Sequence, residues 1–172
     1  DLKGDPYLIA DKTRVEEWKK KISSPKIKIG IRWSGNPRFE HQQLRLFPPE
    51  IIFNLAKDPR VQLYSLQKDS LPDFKIPDGI IDLDADLKDW DDTAAAISNM
   101  DLVISSCTSV AHLSAALGKK TWVVVPALPY FIWALPGETS PWYNSVQLFR
   151  QTAFGHWSGV ANQLKNAVSQ LS

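Results

Sequence analysis

Two apolar, β-rich runs, Leu102-Val-Ile104 and Thr121-Trp-Val-Val-Val125, flank a stretch of small residues that stops at Gly118. A strand, a helix and a second strand in so short a span make a β-α-β unit, and its strands must run parallel. Thr13-Arg-Val-Glu16 has the capping-box pattern, with Val15, Trp18 and Ile22 on one face and Glu16/Lys20 and Glu17/Lys21 pairs outside it, which predicts a short surface helix. Pro25 ends that helix, and residues 26–33 alternate into a strand that Ser34-Gly-Asn-Pro37 breaks. A polar, basic loop over 38–47 precedes Pro48-Pro-Glu50, which opens a helix carrying Ile51, Ile52 and Leu55 inward and stopping at Asp58-Pro59. Val61–Leu66 is a second strand and Ile80–Leu83 a short third one. Asp91-Asp-Thr93 can cap a helix running to Asn99. After the β-α-β unit come a loop rich in proline and aromatics from Pro126 to Trp142, a last strand over Val146–Phe149 and a terminal amphipathic helix over 156–170.

This alternation predicts a Rossmann-like open parallel sheet with helices on both faces. Residues 1–24 read as a connector and N-terminal helix, and 25–172 as the sheet domain. In the common strand order 3-2-1-4-5-6, the strand ending at Trp33 lies beside the strand ending at Ser105. The crevice between them is the switch point, where such sheets bind ligands, and the loops 34–38 and 105–109 would face it.

Composition narrows the function classes. Of 172 residues, 44% are hydrophobic and 23% charged, as in an ordinary water-soluble globule. A net charge of +1 removes the usual electrostatic argument for nucleic acid, and a small anionic ligand needs only a local patch. Cys107 is the only cysteine, so no internal disulfide forms and no paired Cys/His spacing suggests a metal site. No apolar run reaches the length of a membrane span and no leader pattern opens the chain, so a cytoplasmic protein is expected. The only methionine is Met100, which suggests a piece of a longer protein or a processed product.

The candidate chemistry gathers in the crevice. Ser105, Ser106, Thr108 and Ser109 put hydroxyls and free backbone N–H groups at the positive end of a helix dipole, a setting suited to phosphate. Thr108 or Ser109 also fits a plain N-cap. Ser34, Gly35 and Asn36 could form a backbone cradle at the opposite wall, or simply end a strand. Arg38 and Arg45 in the basic loop are candidates for bidentate contact with phosphate oxygens. Gln67 and Lys68 follow the second strand, where a base or ribose could lie, and His112 sits one turn into the helix after Ser109. Trp133, Trp142 and Tyr143 could form an aromatic wall against a ring, or pack on a partner domain. Cys107 lies beside a helix N-terminus, which lowers thiol pKa, but no Cys-His-Asp spacing accompanies it, and it reads as a small buried residue.

Several of these segments together resemble a known family. They are Ile29-Gly-Ile-Arg-Trp-Ser-Gly-Asn-Pro-Arg38, Asp92-Thr-Ala-Ala95, the run Asp101 to Gly118, Ser140-Pro-Trp-Tyr143 and Leu148-Phe-Arg-Gln151. In this order they are similar to the carboxyl-terminal, donor-binding half of GT-B glycosyltransferases. The nearest likeness is to the glycosyltransferase-like regions that follow tetratricopeptide repeats in bacterial proteins, with family 9 heptosyltransferases and O-linked GlcNAc transferases as wider relatives. The resemblance implies a nucleotide-sugar donor whose diphosphate meets Thr108, Ser109, His112 and the loop arginines. It also implies transfer to an acceptor hydroxyl on protein, glycan or lipid without a metal ion or other cofactor, and an amino-terminal domain as partner. The chain departs from the pattern at three places. Cys107 stands where many relatives have Asp, Gln42-Gln-Leu-Arg-Leu46 keeps only Arg45 of an Asp-Arg-x-Arg-Ser run, and Ile132 replaces an Arg. These departures leave open a second reading, a non-catalytic binding module that retains the half-fold.

Overall fold

A computed structural model describes residues 3–35, 47–68 and 74–171. Its elements are α1 (Lys12–Lys21), β1 (Ile27–Arg32), α2 (Glu50–Phe53), β2 (Val61–Ser65), β3 (Ile81–Asp82), α3 (Trp90–Ser98), β4 (Leu102–Ser106), α4 (Ser109–Ala116), β5 (Thr121–Val125), β6 (Val146–Arg150) and α5 (Ser158–Ser169). Short 3₁₀ turns at Asn54–Lys57 and Phe131–Trp133 extend α2 and punctuate the loop after β5. The strands form one six-stranded sheet in the order β3-β2-β1-β4-β5-β6, with every neighbouring pair parallel. This is the Rossmann-like order expected from the sequence, and Arg32 at the end of β1 stands in register with Ser105 in β4.

Period-two alternation distributes the core over both faces of the sheet. Ile29, Ile31, Leu63, Leu102, Ile104, Trp122 and Val124 pack with Ile52 and Leu55 and with Val160, Leu164 and Val168 of α5. On the opposite face, Tyr64, Leu66 and Val103 meet Trp18 and Ile22, Ala95 to Ile97 of α3, and Val110 of α4. Val123, Val125 and Leu148 continue this face against Ala111, Ala115, Trp133 and Tyr143. Gly30 in β1 is there because of close approach, since a Cβ on it would lie 2.8 Å from Leu66 Cδ1. Helix α4 ends in a Schellman motif: Lys119 N–H donates to Ser114 O and Gly118 N–H to Ala115 O, with Gly118 at φ +75°.

Helix starts differ from expectation by a residue or two. Asp11, not Thr13, caps α1, its carboxylate accepting from Arg14 N–H at 2.9 Å. Asp89, not the Asp91–Thr93 run, caps α3 by accepting from Asp92 N–H. In both places residues of capping type lie close together, and Arg14 of α1 bonds Asp89, the cap of α3. Of the predicted lysine pairs on α1, Glu16 lies nearest Lys19, and Lys21 reaches Asp86 on the neighbouring loop. The connector is extended and lies against the domain, with Tyr7 and Leu8 N–H both donating to Ala116 O at the end of α4.

Candidate functional site

The carboxyl ends of β1, β2 and β4 open into a cavity of about 300 Å³ lined by Arg32, Leu66, Lys68, Leu87, Lys88, Asp89, Trp90, Thr93, Ser109 and Val110. Two helix N-termini border it, those of α3 and α4, and they differ in kind. Helix α3 starts with its own carboxylates, Asp89 at the cap and Asp91 and Asp92 in the first turn. Helix α4 has no acidic residue in its first turn, and the side chain of its N-cap, Thr108, makes no capping bond. The N–H groups of Ser109 and Val110 therefore point out of the helix start without an intrahelical acceptor, where the dipole favours negative charge.

Thr108 is extended (φ −122°, ψ 170°), which turns the chain from β4 into α4. Its hydroxyl lies 3.0 Å from Ser105 Oγ, which in turn donates to Ser106 O. Ser106 is 3% exposed, and its hydroxyl has no hydrogen-bond partner at the carboxyl end of β4. Cys107 is half-buried where the sequence suggests a buried residue, its thiol directed to Val124 O at 3.6 Å.

At the opposite wall, Ser34 and Gly35 follow Trp33 just beyond β1, and Ser34 is fixed by its backbone. Gln67, only 2% exposed, accepts from Trp33 N–H at 3.3 Å and Ser34 N–H at 3.0 Å, and donates to Lys68 O at 3.0 Å. Its amide thus ties the ends of β1 and β2 together behind the cavity. Lys68 lines the cavity itself, held by Asp84 Oδ1 and Asp84 O, each at 2.9 Å. Asn36, Arg38 and Arg45 lie outside the described residues.

His112 and the aromatic residues form a separate cluster. His112 Nδ1 lies 3.0 Å from Tyr143 Oη, and its ring stacks on Trp133 at 4.9 Å between centroids. Burial lowers the His112 pKa and raises that of Tyr143, so the pair is neutral around pH 7. Trp133 is 1% exposed, so its ring is core and presents no face to a ligand. Arg150 holds it inward by donating to the carbonyls of Trp133, Leu135 and Gly137. Ile132 packs against the same cluster. Trp142 is exposed, as open as Tyr130, and Phe131 is the most open aromatic ring of this loop.

The cavity thus brings together Lys68 and Ser109, with Thr108 as the N-cap beside Ser109, while His112 and Trp133 are grouped with Tyr143 elsewhere and Trp142 is not in the cavity lining. Sequence reasoning missed Arg32 and Trp90. Arg32 donates to Ser34 O and Leu66 O at 3.1 Å each and lines the cavity, a position readable as the last residue of the strand at the switch point. Trp90, 57% exposed at the start of α3, adds an indole to the rim. Among the described residues, no group of three or more His, Cys, Asp or Glu side chains could hold a metal ion. No described helix is long and apolar enough to cross a membrane.

No family model matches the chain. Protein FlbA of Caulobacter vibrioides is 29% identical over 185 residues, covering 99% of this chain and 30% of that protein. The solved structure of E. coli ADP-heptose LPS heptosyltransferase II is similar at a TM-score of 0.67 and 16% identity, matching 95% of this chain to 52% of its own. The family 9 glycosyl transferase of Veillonella parvula gives a TM-score of 0.61 at 12% identity, with 98% and 47% covered. The chain spans about half the length of these two structures and 30% of FlbA. Its fold is that of a GT-B half-domain, the Rossmann-like α/β half found in these heptosyltransferase neighbours.

Proposed function

We propose that this chain is the donor-binding half of a GT-B glycosyltransferase, taking a nucleoside diphosphate sugar in the cavity between β1, β2 and the starts of α3 and α4. The observation that carries the reading is the α4 N-terminus, free of acid and of a side-chain cap, facing a cavity that also holds Arg32 and Lys68. Backbone N–H groups, a helix dipole and fixed cations are what a diphosphate needs, and they act most strongly on the charge that builds up as the sugar leaves. The exposed Trp90 indole offers a stacking face for the base or sugar at the same rim. The acceptor and the base that deprotonates its hydroxyl would belong to the other half of the enzyme, so these residues alone bind donor and transfer nothing.

Thermal unfolding with a panel of nucleoside diphosphates and their sugars tests this. A ligand at about 100 times its dissociation constant adds about 2.7 kcal/mol, or roughly 5–10 °C in a domain of this size. Ser109→Pro is the informative variant. Proline is favoured at the first helical position and Thr108 already has the extended conformation that precedes it, so the fold survives while one phosphate-facing N–H is deleted together with the Ser109 hydroxyl. The expected result is a rise with one nucleotide that Ser109→Pro reduces. A folded protein that no nucleoside diphosphate stabilises would sink the proposal.

A further inference from the structure

The cavity has an electrostatic defect for an anionic ligand, and α1 supplies a remedy. Asp89 lines the cavity, and Asp91 and Asp92 follow it in the first turn of α3. These carboxylates cancel the α3 dipole and oppose any phosphate that approaches α4. Across the boundary between α1 and α3, Arg14 Nη1 lies 2.8 Å from Asp89 Oδ1, 2.9 Å from Asp89 Oδ2 and 3.2 Å from Asp92 Oδ1. Asp89 and Asp92 have further partners: Trp18 Nε1 donates to Asp92 Oδ1, Lys88 N–H donates to Asp92 Oδ2, and Asp92 N–H donates to Asp89 Oδ1. Arg32, Lys88 and Lys68, the last paired with Asp84, are the cations of the lining itself.

We infer that Arg14 is a positioning residue for the anionic ligand, neutralising Asp89 and Asp92 so that the α3 start opposes a diphosphate less. This rests on the proposed donor reading of the cavity. It gives α1, which contributes no residue to the cavity lining, a part in ligand affinity, because Asp89 is both the α3 cap and a wall of the cavity. Without Arg14 an uncompensated carboxylate faces the phosphates. With Arg14 present, removal of the Asp89 charge leaves a surplus cation there.

Isothermal titration of a nucleoside diphosphate and of the matching neutral nucleoside, at low and at physiological salt, separates charge from structure. Arg14→Gln should weaken the diphosphate by roughly three- to tenfold at low salt, the size expected for loss of one unit charge near a multiply charged anion, and less at higher salt. The neutral nucleoside should bind unchanged, and Arg14→Gln/Asp89→Asn should recover the diphosphate affinity, with asparagine keeping the α3 cap. Asp89→Asn alone should tighten the diphosphate, which carries the test if Arg14→Gln does not fold. Equal weakening of nucleoside and diphosphate, or no tightening by Asp89→Asn, would overturn the inference while leaving the donor reading standing. Failure of the unsubstituted protein to bind any nucleoside diphosphate would overturn both.

Discussion

Replacing Gln67 by leucine removes three hydrogen bonds at once and nearly preserves side-chain volume. The Trp33 N–H is left buried without an acceptor, and the Ser34 N–H and the Lys68 carbonyl lose their partners at part-buried positions. A stranded buried polar group costs about 1–3 kcal/mol, and the two part-buried groups recover some of that from water. A net loss of about 2–4 kcal/mol is expected, with a fall in Tm of roughly 5–15 °C. Urea unfolding measures the loss, and amide exchange at Trp33 and Ser34 locates it. Gln67→Glu gives the control for donor and acceptor roles. It keeps the oxygen that accepts from both N–H groups but sets a carboxylate oxygen against Lys68 O, so its stability should improve as the pH falls and the acid gains a proton to donate. A residue that only touched ligand would weaken binding and leave unfolding unchanged. A Gln67→Leu loss below about 1 kcal/mol, with Trp33 and Ser34 amides still protected, would refute the account of Gln67 as the tie behind the cavity.

Gly118→Ala places a side chain at φ +75°, with its Cβ 2.6 Å from Pro6 Cγ. The left-handed conformation alone costs about 1–2 kcal/mol, and displacement of the connector should bring the loss in urea unfolding to about 2–4 kcal/mol. His112 has its pKa lowered by burial, so the unfolded chain takes up a proton first. Stability should therefore fall as the pH drops below about 6.5 and level off below the folded pKa, and His112→Gln should flatten that part of the profile in denaturant titrations. Trp90→Ala should weaken a nucleoside diphosphate by several-fold, through loss of a stacking face worth about 0.5–1.5 kcal/mol, and leave inorganic pyrophosphate unaffected in the same titration.

The sheet was legible because parallel strands are covered on both faces and read as apolar runs. Leu102–Ile104 and Thr121–Val125 have no polar alternation to confuse with a surface strand, and β1 and β2 follow from the Pro and Gly breaks beside them. What sequence periodicity cannot rank is a choice among adjacent residues with the same local chemistry. Asp89, Asp91, Asp92 and Thr93 are all competent caps, and the bond from Arg14, 75 positions away, accompanies the first of them. Trp133 is the converse case. Tryptophan in a proline-rich loop suggests an exposed ring, whereas three carbonyl bonds from Arg150 fold that loop onto His112. Arg32 escaped notice because alternation describes which face a strand residue takes, and the last residue of a strand at the switch point faces the opening as well.

Hydrogen counting at the turn after β4 sharpens which groups can hold an anion. Ser105 has one hydroxyl proton, and it goes to Ser106 O at 2.9 Å. The 3.0 Å contact between Ser105 Oγ and Thr108 Oγ1 must then use the proton of Thr108. With that proton committed, Thr108 presents lone pairs to the crevice, and lone pairs repel phosphate. The donors left at the mouth of α4 are backbone N–H groups, the Ser109 hydroxyl and the unpartnered Ser106 hydroxyl, so the Thr108 hydroxyl marks the place more than a contact. Thr108→Val should therefore change nucleoside diphosphate affinity by less than about threefold, whereas Ser109→Pro should cost about tenfold, the equivalent of one charge-assisted hydrogen bond. Ser105→Ala releases the Thr108 proton to a ligand, so it should tighten the diphosphate while costing about 1 kcal/mol of stability. Isothermal titration of the three variants decides the matter: abolition of binding by Thr108→Val together with no gain from Ser105→Ala would show that the threonine hydroxyl itself grips the phosphate, and the proton assignment would fall.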